Sequence, residues 1–131
     1  MKIYKQIISL TVLTFVCLFS YAQKQANWKE MHDFHAVMSK SFHPAEENNF
    51  KPLKQHGDSI VVVAKAWQAS IVPVGFNGGV TKPILEKLVK QTEVVQTAVK
   101  QNKSDVELKK LITEAHDIFH EIMEKCRDEK K

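Results

Sequence analysis

The chain has 131 residues, 44% hydrophobic and 26% charged, a balance that supports one packed domain and excludes a disordered, charge-rich tail. Its formal charge is +4, from 19 Lys and Arg against 15 Asp and Glu, and the basic residues are scattered, which argues against a nucleic-acid groove built on a basic stripe. Two cysteines exclude a disulfide-dense scaffold.

Residues 1–22 read as a signal peptide. Lys2 and Lys5 give it a basic start. IISLTVLTFVCLFS follows, apolar but too short for a bilayer span. Ser20 and Ala22 are the small residues of an A-x-A-like site, with cleavage expected after Ala22. Cys17 follows Phe15-Val16 rather than the small pair of a lipoprotein signal. The expected product is a periplasmic or secreted domain of residues 23–131, with no membrane span. Loss of Lys2 and Lys5 leaves 17 basic against 15 acidic side chains, a charge of +2. Cys126 is then the single cysteine. It can pair with a second copy in a homodimer, bind a metal, or sit buried as a small apolar residue.

Four helical segments follow. Helix 1 is expected from about Trp28 to Phe42, with Asn27 and Glu30 as a capping box and His43-Pro44 as its end. Helix 2 is expected from about Phe50 to Ser70, capped by Asn48 or Asn49, with Pro52 in its first turn and Gly57 as a mild weakness. IVPVGFNGGVT is the richest run of helix breakers and reads as the long connection. Helix 3 is expected from about Lys82 to Gln101, capped by Thr81, with Pro83 in its first turn. After Asn102-Lys103, Ser104 and Glu107 form a capping box for helix 4, which runs to about Arg127. No alternating strand pattern competes. The fold class is all-α: an antiparallel up-down-up-down four-helix bundle.

Six histidines are the chemical feature of the chain. Trp28, Met31, Phe34, Met38 and Phe42 form the apolar stripe of helix 1; His35 falls within it and His32 on its border. Leu53, Ile60, Val63, Ala64 and Trp67 form that of helix 2, with His56 inside. Leu108, Leu111, Ile112, Ala115, Phe119, Ile122, Met123 and Cys126 form that of helix 4, with His116 at its edge and His120 farther round. His35 and His56 each stand about 12 Å from the loop joining their helices, so they are expected level with each other. His116 and His120 lie about 18 and 24 Å along helix 4, toward the same half of the bundle. Several neutral imidazoles in an apolar core need partners, and one divalent cation satisfies three or four.

The expected ligands are therefore His35, His56, His116 and His120, with His32 as a substitute and zinc or copper as the ion. Asp33, Asp117 and Glu121 are candidates to orient the imidazoles. The core methionines Met31, Met38 and Met123 would suit Cu(I). The plainer alternatives are that border histidines are solvated, core methionines are filler and His43 is a helix-end residue.

Length, export and helix layout also make the chain resemble periplasmic four-helix bundles of the cytochrome c prime and soluble b-type cytochrome kind. The c prime members attach haem through C-x-x-C-H in the last helix. Here that region reads FHEIMEKC, with one cysteine, so covalent attachment is not supported. The b-type resemblance implies haem b held by Met31 and by His116 or His120. A third expectation is a cofactor-free interaction or stress-sensing module using outer faces such as LEKLVKQTEVVQTAVKQN. No H-E-x-x-H, phosphate loop or Ser-His-Asp arrangement stands out, so no enzymatic role is expected.

Overall fold

The computed structural model describes residues 27–127; the expected signal peptide, its cleavage site and Cys17 lie outside them. Four helices follow in order: α1 (Lys29–Glu46), α2 (Lys51–Ala69), α3 (Gly78–Lys100) and α4 (Asp105–Lys125). Each packs on the next, and α1 meets α4 to close the ring. The fold is an all-α antiparallel four-helix bundle. Among the described residues no helix is long and apolar enough to cross a membrane.

Apolar side chains at three- and four-residue spacing drive the assembly. Met38, Leu53, Ile60, Leu88, Val95, Leu108, Ile112 and Ile122 are wholly buried. Removing each such side chain from water contributes about 1.5–3 kcal/mol before the entropy of ordering is charged against it. Three seams are closely packed, whereas α1 and α4 stand farther apart. Large rings fill that fourth seam: Phe34 lies 5.7 Å from Phe119, and the His116 ring stacks 3.8 Å from Phe42.

Several helix ends differ from the sequence expectation, each for a local reason. α1 begins without the Asn27–Glu30 capping box. Trp28 is its N-cap, in extended conformation, and makes no side-chain cap bond. Its indole is 2% exposed and donates through Nε1 to Ser70 Oγ at 2.7 Å, so burial fixes this end. α1 also runs through Pro44 to Glu46. Its last turn closes as a Schellman motif, with Asn49 N–H donating to the Pro44 carbonyl at 2.8 Å and Asn48 N–H to that of Ala45 at 3.0 Å. Asn48 takes the left-handed conformation this needs, at φ 63°. From α4, Lys109 Nζ donates to the Glu46 carbonyl at 2.9 Å and to Asn48 Oδ1 at 3.1 Å. These bonds hold a turn that Pro44 would otherwise weaken.

Asn48 therefore ends α1 rather than capping α2. Asn49 Oδ1 accepts from Lys51 N–H at 3.3 Å, and Phe50 is the N-cap of α2. α3 starts at Gly78, a turn before Lys82, because Asn77 Oδ1 accepts from the Gly79 and Val80 amides. Pro83 thus lies inside the helix. At the far end Asn102, at φ 50°, repeats the Schellman closure: Lys103 N–H bonds to the Ala98 carbonyl and Asn102 N–H to that of Val99. Ser104 caps α4 as expected, its Oγ accepting from Glu107 N–H at 3.2 Å. The 70–77 connection returns to the bundle through Phe76, which is buried, and Asn77 N–H donates to the Cys126 carbonyl at 2.8 Å.

The buried arcs are rotated from those read off the sequence. On α2 the arc runs through Gly57 and Val61, and Val63 lies only at its margin. Gly57 faces α3 where a Cβ would sit 3.6 Å from Val99 Cγ2, an ordinary contact distance. Gly57→Ala is therefore expected to stabilise the fold by about 0.5–1 kcal/mol, by limiting the unfolded backbone without a clash. A rise in urea midpoint at unchanged slope would show it; a lower midpoint would mean that the α2–α3 seam cannot take a methyl group. On α1 the arc includes Ser41, whose fully buried hydroxyl has no hydrogen-bond partner among the described residues. Ser41→Ala removes that desolvated group and is expected to raise stability by about 1 kcal/mol in the same assay.

Candidate functional site

The histidines face the rim of the bundle, not its core. His32, His35, His43, His56 and His120 are exposed and His116 is half-buried. The expectation of core-facing His35 and His56 is therefore corrected. Trp28 lies outside the helix, so its inclusion widened the apparent stripe of α1 toward His35. Burial of Ser41 turns the true arc the other way. On α2, burial of Gly57 and Val61 moves the arc away from His56. Glycine carries no apolar signal in a sequence, although here it marks a close helix approach.

The exposed imidazoles are not all free in solvent. The His35 ring lies parallel to Phe119 at 5.0 Å and 5°, covering the edge of the core. His116 lies flat on Phe42 at 3.8 Å and 12°. One turn later on α4, His120 brings its Nε2 to 3.3 Å from His116 Nε2. One ring donates this hydrogen bond and the other accepts. The same spacing suits a shared ion: two imidazole nitrogens at about 2.0–2.1 Å from one tetrahedral ion stand about 3.3–3.4 Å apart.

His43 occupies the neighbouring position across the seam, its ring centroid 6.3 Å from that of His116. Its Nδ1 lies 3.0 Å from Glu46 Oε2. An ionised carboxylate only accepts, so Nδ1 donates in that bond, and the neutral ring then carries its lone pair on Nε2. Sequence reasoning passed over this pair because it ended helix 1 at His43-Pro44. With the helix continued, the i,i+3 spacing of His43 and Glu46 is visible in the sequence.

Two of the acids expected to orient the ligands are engaged elsewhere. Asp33 pairs with Lys29, and Glu121 lies 3.3 Å from Lys87 Nζ and 3.2 Å from Lys125 Nζ. Asp117 is exposed and acts on His116 through its charge. Cys126 is fully buried, and burial pushes its thiol above the usual range, which suits an inert core residue. Among the described residues no three His, Cys, Asp or Glu side chains already stand arranged around one ion.

The residues implied by the cytochrome resemblance lie at different depths, with His116 half-buried. Met31 is 3% exposed inside the core, whereas His120 lies on the surface. The same core holds Trp28 and Trp67, 5.6 Å apart, and Phe34 and Phe119, 5.7 Å apart. Met38 is likewise core filler at 0% exposure. No protein-family model matches the chain, and neither a curated protein nor a solved structure is detectably similar to it.

The electrostatics of His116 give a pH signature. Burial depresses its pKa below the ordinary 6.5; the charges of His120 and, more weakly, His43 add to this against Asp117 and Glu46. Between the folded and unfolded values the unfolded chain binds more protons, so stability rises with pH there. The contribution is complete above about 6.5 and is lost as pH falls through that window toward the folded value. In chelator, urea unfolding of the metal-free protein is expected to show lower stability at pH 5.5 than at pH 7.5. His116→Gln should flatten the difference, and an unaltered pH dependence in that variant would contradict the assignment.

Proposed function

We propose that the mature chain is an exported, non-enzymatic bundle that captures a transition-metal ion, zinc or copper, at the rim site of His116 and His120. The supporting observation is the 3.3 Å approach of the two Nε2 atoms from consecutive turns of α4. Stacking on Phe42 holds the His116 ring, so part of the ordering cost of chelation is met by the fold. At this exposed rim, positions of the coordination sphere stay open to water, which suits reversible capture. Cu(II) stands above zinc in the usual order of affinity for imidazole nitrogen, whereas the buried Met31 and Met38 are withheld from Cu(I). Relative to the reading of core ligands, the ion moves from the bundle interior to the α1–α4 rim, and His35, His56 and His32 drop out of the ligand set.

Titration of zinc or cupric ion should raise the unfolding temperature, because an ion that binds the folded state adds about 2.7 kcal/mol at one hundred times its dissociation constant. His116→Ala and His120→Ala should each weaken binding at least tenfold, while His56→Ala should leave it unchanged. Equal binding by a His116→Ala/His120→Ala double variant would end this reading. It would favour the cofactor-free interaction module, for which the exposed Ile71 and Val74 of the 70–77 connection, at 91% and 98%, supply an apolar contact point.

A further inference from the structure

We infer that His43 is the third protein ligand of the His116/His120 site, oriented by Glu46, so that a bound zinc or cupric ion ties the last turn of α1 to α4. This rests on the reading of His116 and His120 as an ion site.

Three observations converge on His43. Its Nδ1 lies 3.0 Å from Glu46 Oε2, so the neutral ring that donates to this carboxylate presents the lone pair of Nε2 to an ion. A carboxylate on the second ring nitrogen is the usual partner of a metal-bound histidine, because it fixes the ring and raises its basicity. The distance is also close to what one ion requires. Two imidazoles on a tetrahedral ion have centroids about 5 Å apart, given nitrogen–metal bonds of about 2.0–2.1 Å. His43 and His116 stand 6.3 Å apart, so their centroids approach by roughly 1 Å when the two rings share an ion. The His43 side chain is 61% exposed, and a change in its torsions meets little packing.

The backbone beneath His43 is fixed relative to α4. Lys109 Nζ binds the Glu46 carbonyl at 2.9 Å and Asn48 Oδ1 at 3.1 Å, so α4 itself holds the turn that carries His43 and Glu46. The α1–α4 seam is the least closely packed of the four. An ion held by one histidine from α1 and two from α4 bridges that seam. Glu46 also places negative charge beside the incoming cation.

The test is a titration of the purified mature chain with cupric and zinc ions, alongside His43→Ala, Glu46→Gln and His116→Ala, with circular dichroism to verify that each variant is helical. His43→Ala should weaken binding at least tenfold. Glu46→Gln, which keeps size but loses the charge, should weaken it by about 10- to 100-fold. Nitrogen hyperfine structure in the cupric electron paramagnetic resonance spectrum should correspond to three imidazoles in the wild type and two in His43→Ala. Unchanged affinity and nitrogen count in His43→Ala, with binding lost in His116→Ala, would overturn the role of His43 and leave the two-histidine site standing. Wild-type protein that binds neither ion, or binding that survives His116→Ala undiminished, would overturn both.

Discussion

Ring packing among Trp28, Phe34, Trp67 and Phe119 sets the spacing on which the rest of the molecule depends. Trp28 meets Trp67 edge-on at 5.6 Å, Phe34 lies 5.5 Å from Trp67, and Phe119 joins them at 5.7 Å from Phe34 and 6.0 Å from Trp67. The cluster draws α1, α2 and α4 together at one level and buries large apolar areas in directional contacts. It carries a cost, because Trp67 Nε1 is buried without a hydrogen-bond partner among the described residues. Trp28 avoids that cost through Ser70. Rings of this size hold α1 and α4 apart, and the resulting seam is edged by phenyl faces.

Imidazoles cover those faces. A histidine at such a border keeps one side of its ring on hydrocarbon and its nitrogens near water. His35 does so on Phe119 and His116 on Phe42. The arrangement reconciles two demands that conflict in a core: the rings add apolar contact, and their nitrogens escape the penalty of unsatisfied burial. It also explains how histidines can follow an apolar period in sequence while remaining accessible.

The outer surface fixes register more than it adds stability. Lys65–Glu93 and Lys100–Asp58 join α2 to α3, and Lys87–Glu121 joins α3 to α4. Exposed pairs of this type contribute about 0–1 kcal/mol each. Their value is that a helix shifted by one turn would lose several of them together. The two asparagine-closed helix ends, at Asn48 and Asn102, act in the same direction by fixing where α1 and α3 stop.

Apolar periodicity and the breaker residues were enough to indicate four helices, their order and the long connection after Ser70, because these follow from short-range backbone preference and from amphipathicity. The Ser104 cap was legible for the same reason. The capping of α1 by a buried Trp28 in place of an Asn27–Glu30 box, the continuation through Pro44 and the early start of α3 after Asn77 were less accessible. Those boundaries depend in part on partners distant in the chain, such as Ser70 for Trp28 and Lys109 for the end of α1. The i,i+4 pair of His116 and His120 lies on a single helix, and spacing alone brings it together. Which side of each helix is buried was a different matter. A few tens of degrees separate a core position from a rim position, and packing of Gly57 on Val99 and burial of Ser41 set that rotation. Local pattern thus specified the helices and the histidine pair, while the mutual fit of four surfaces assigned His35 to the rim beside Phe119, His56 to the surface and His43 to the neighbourhood of His116.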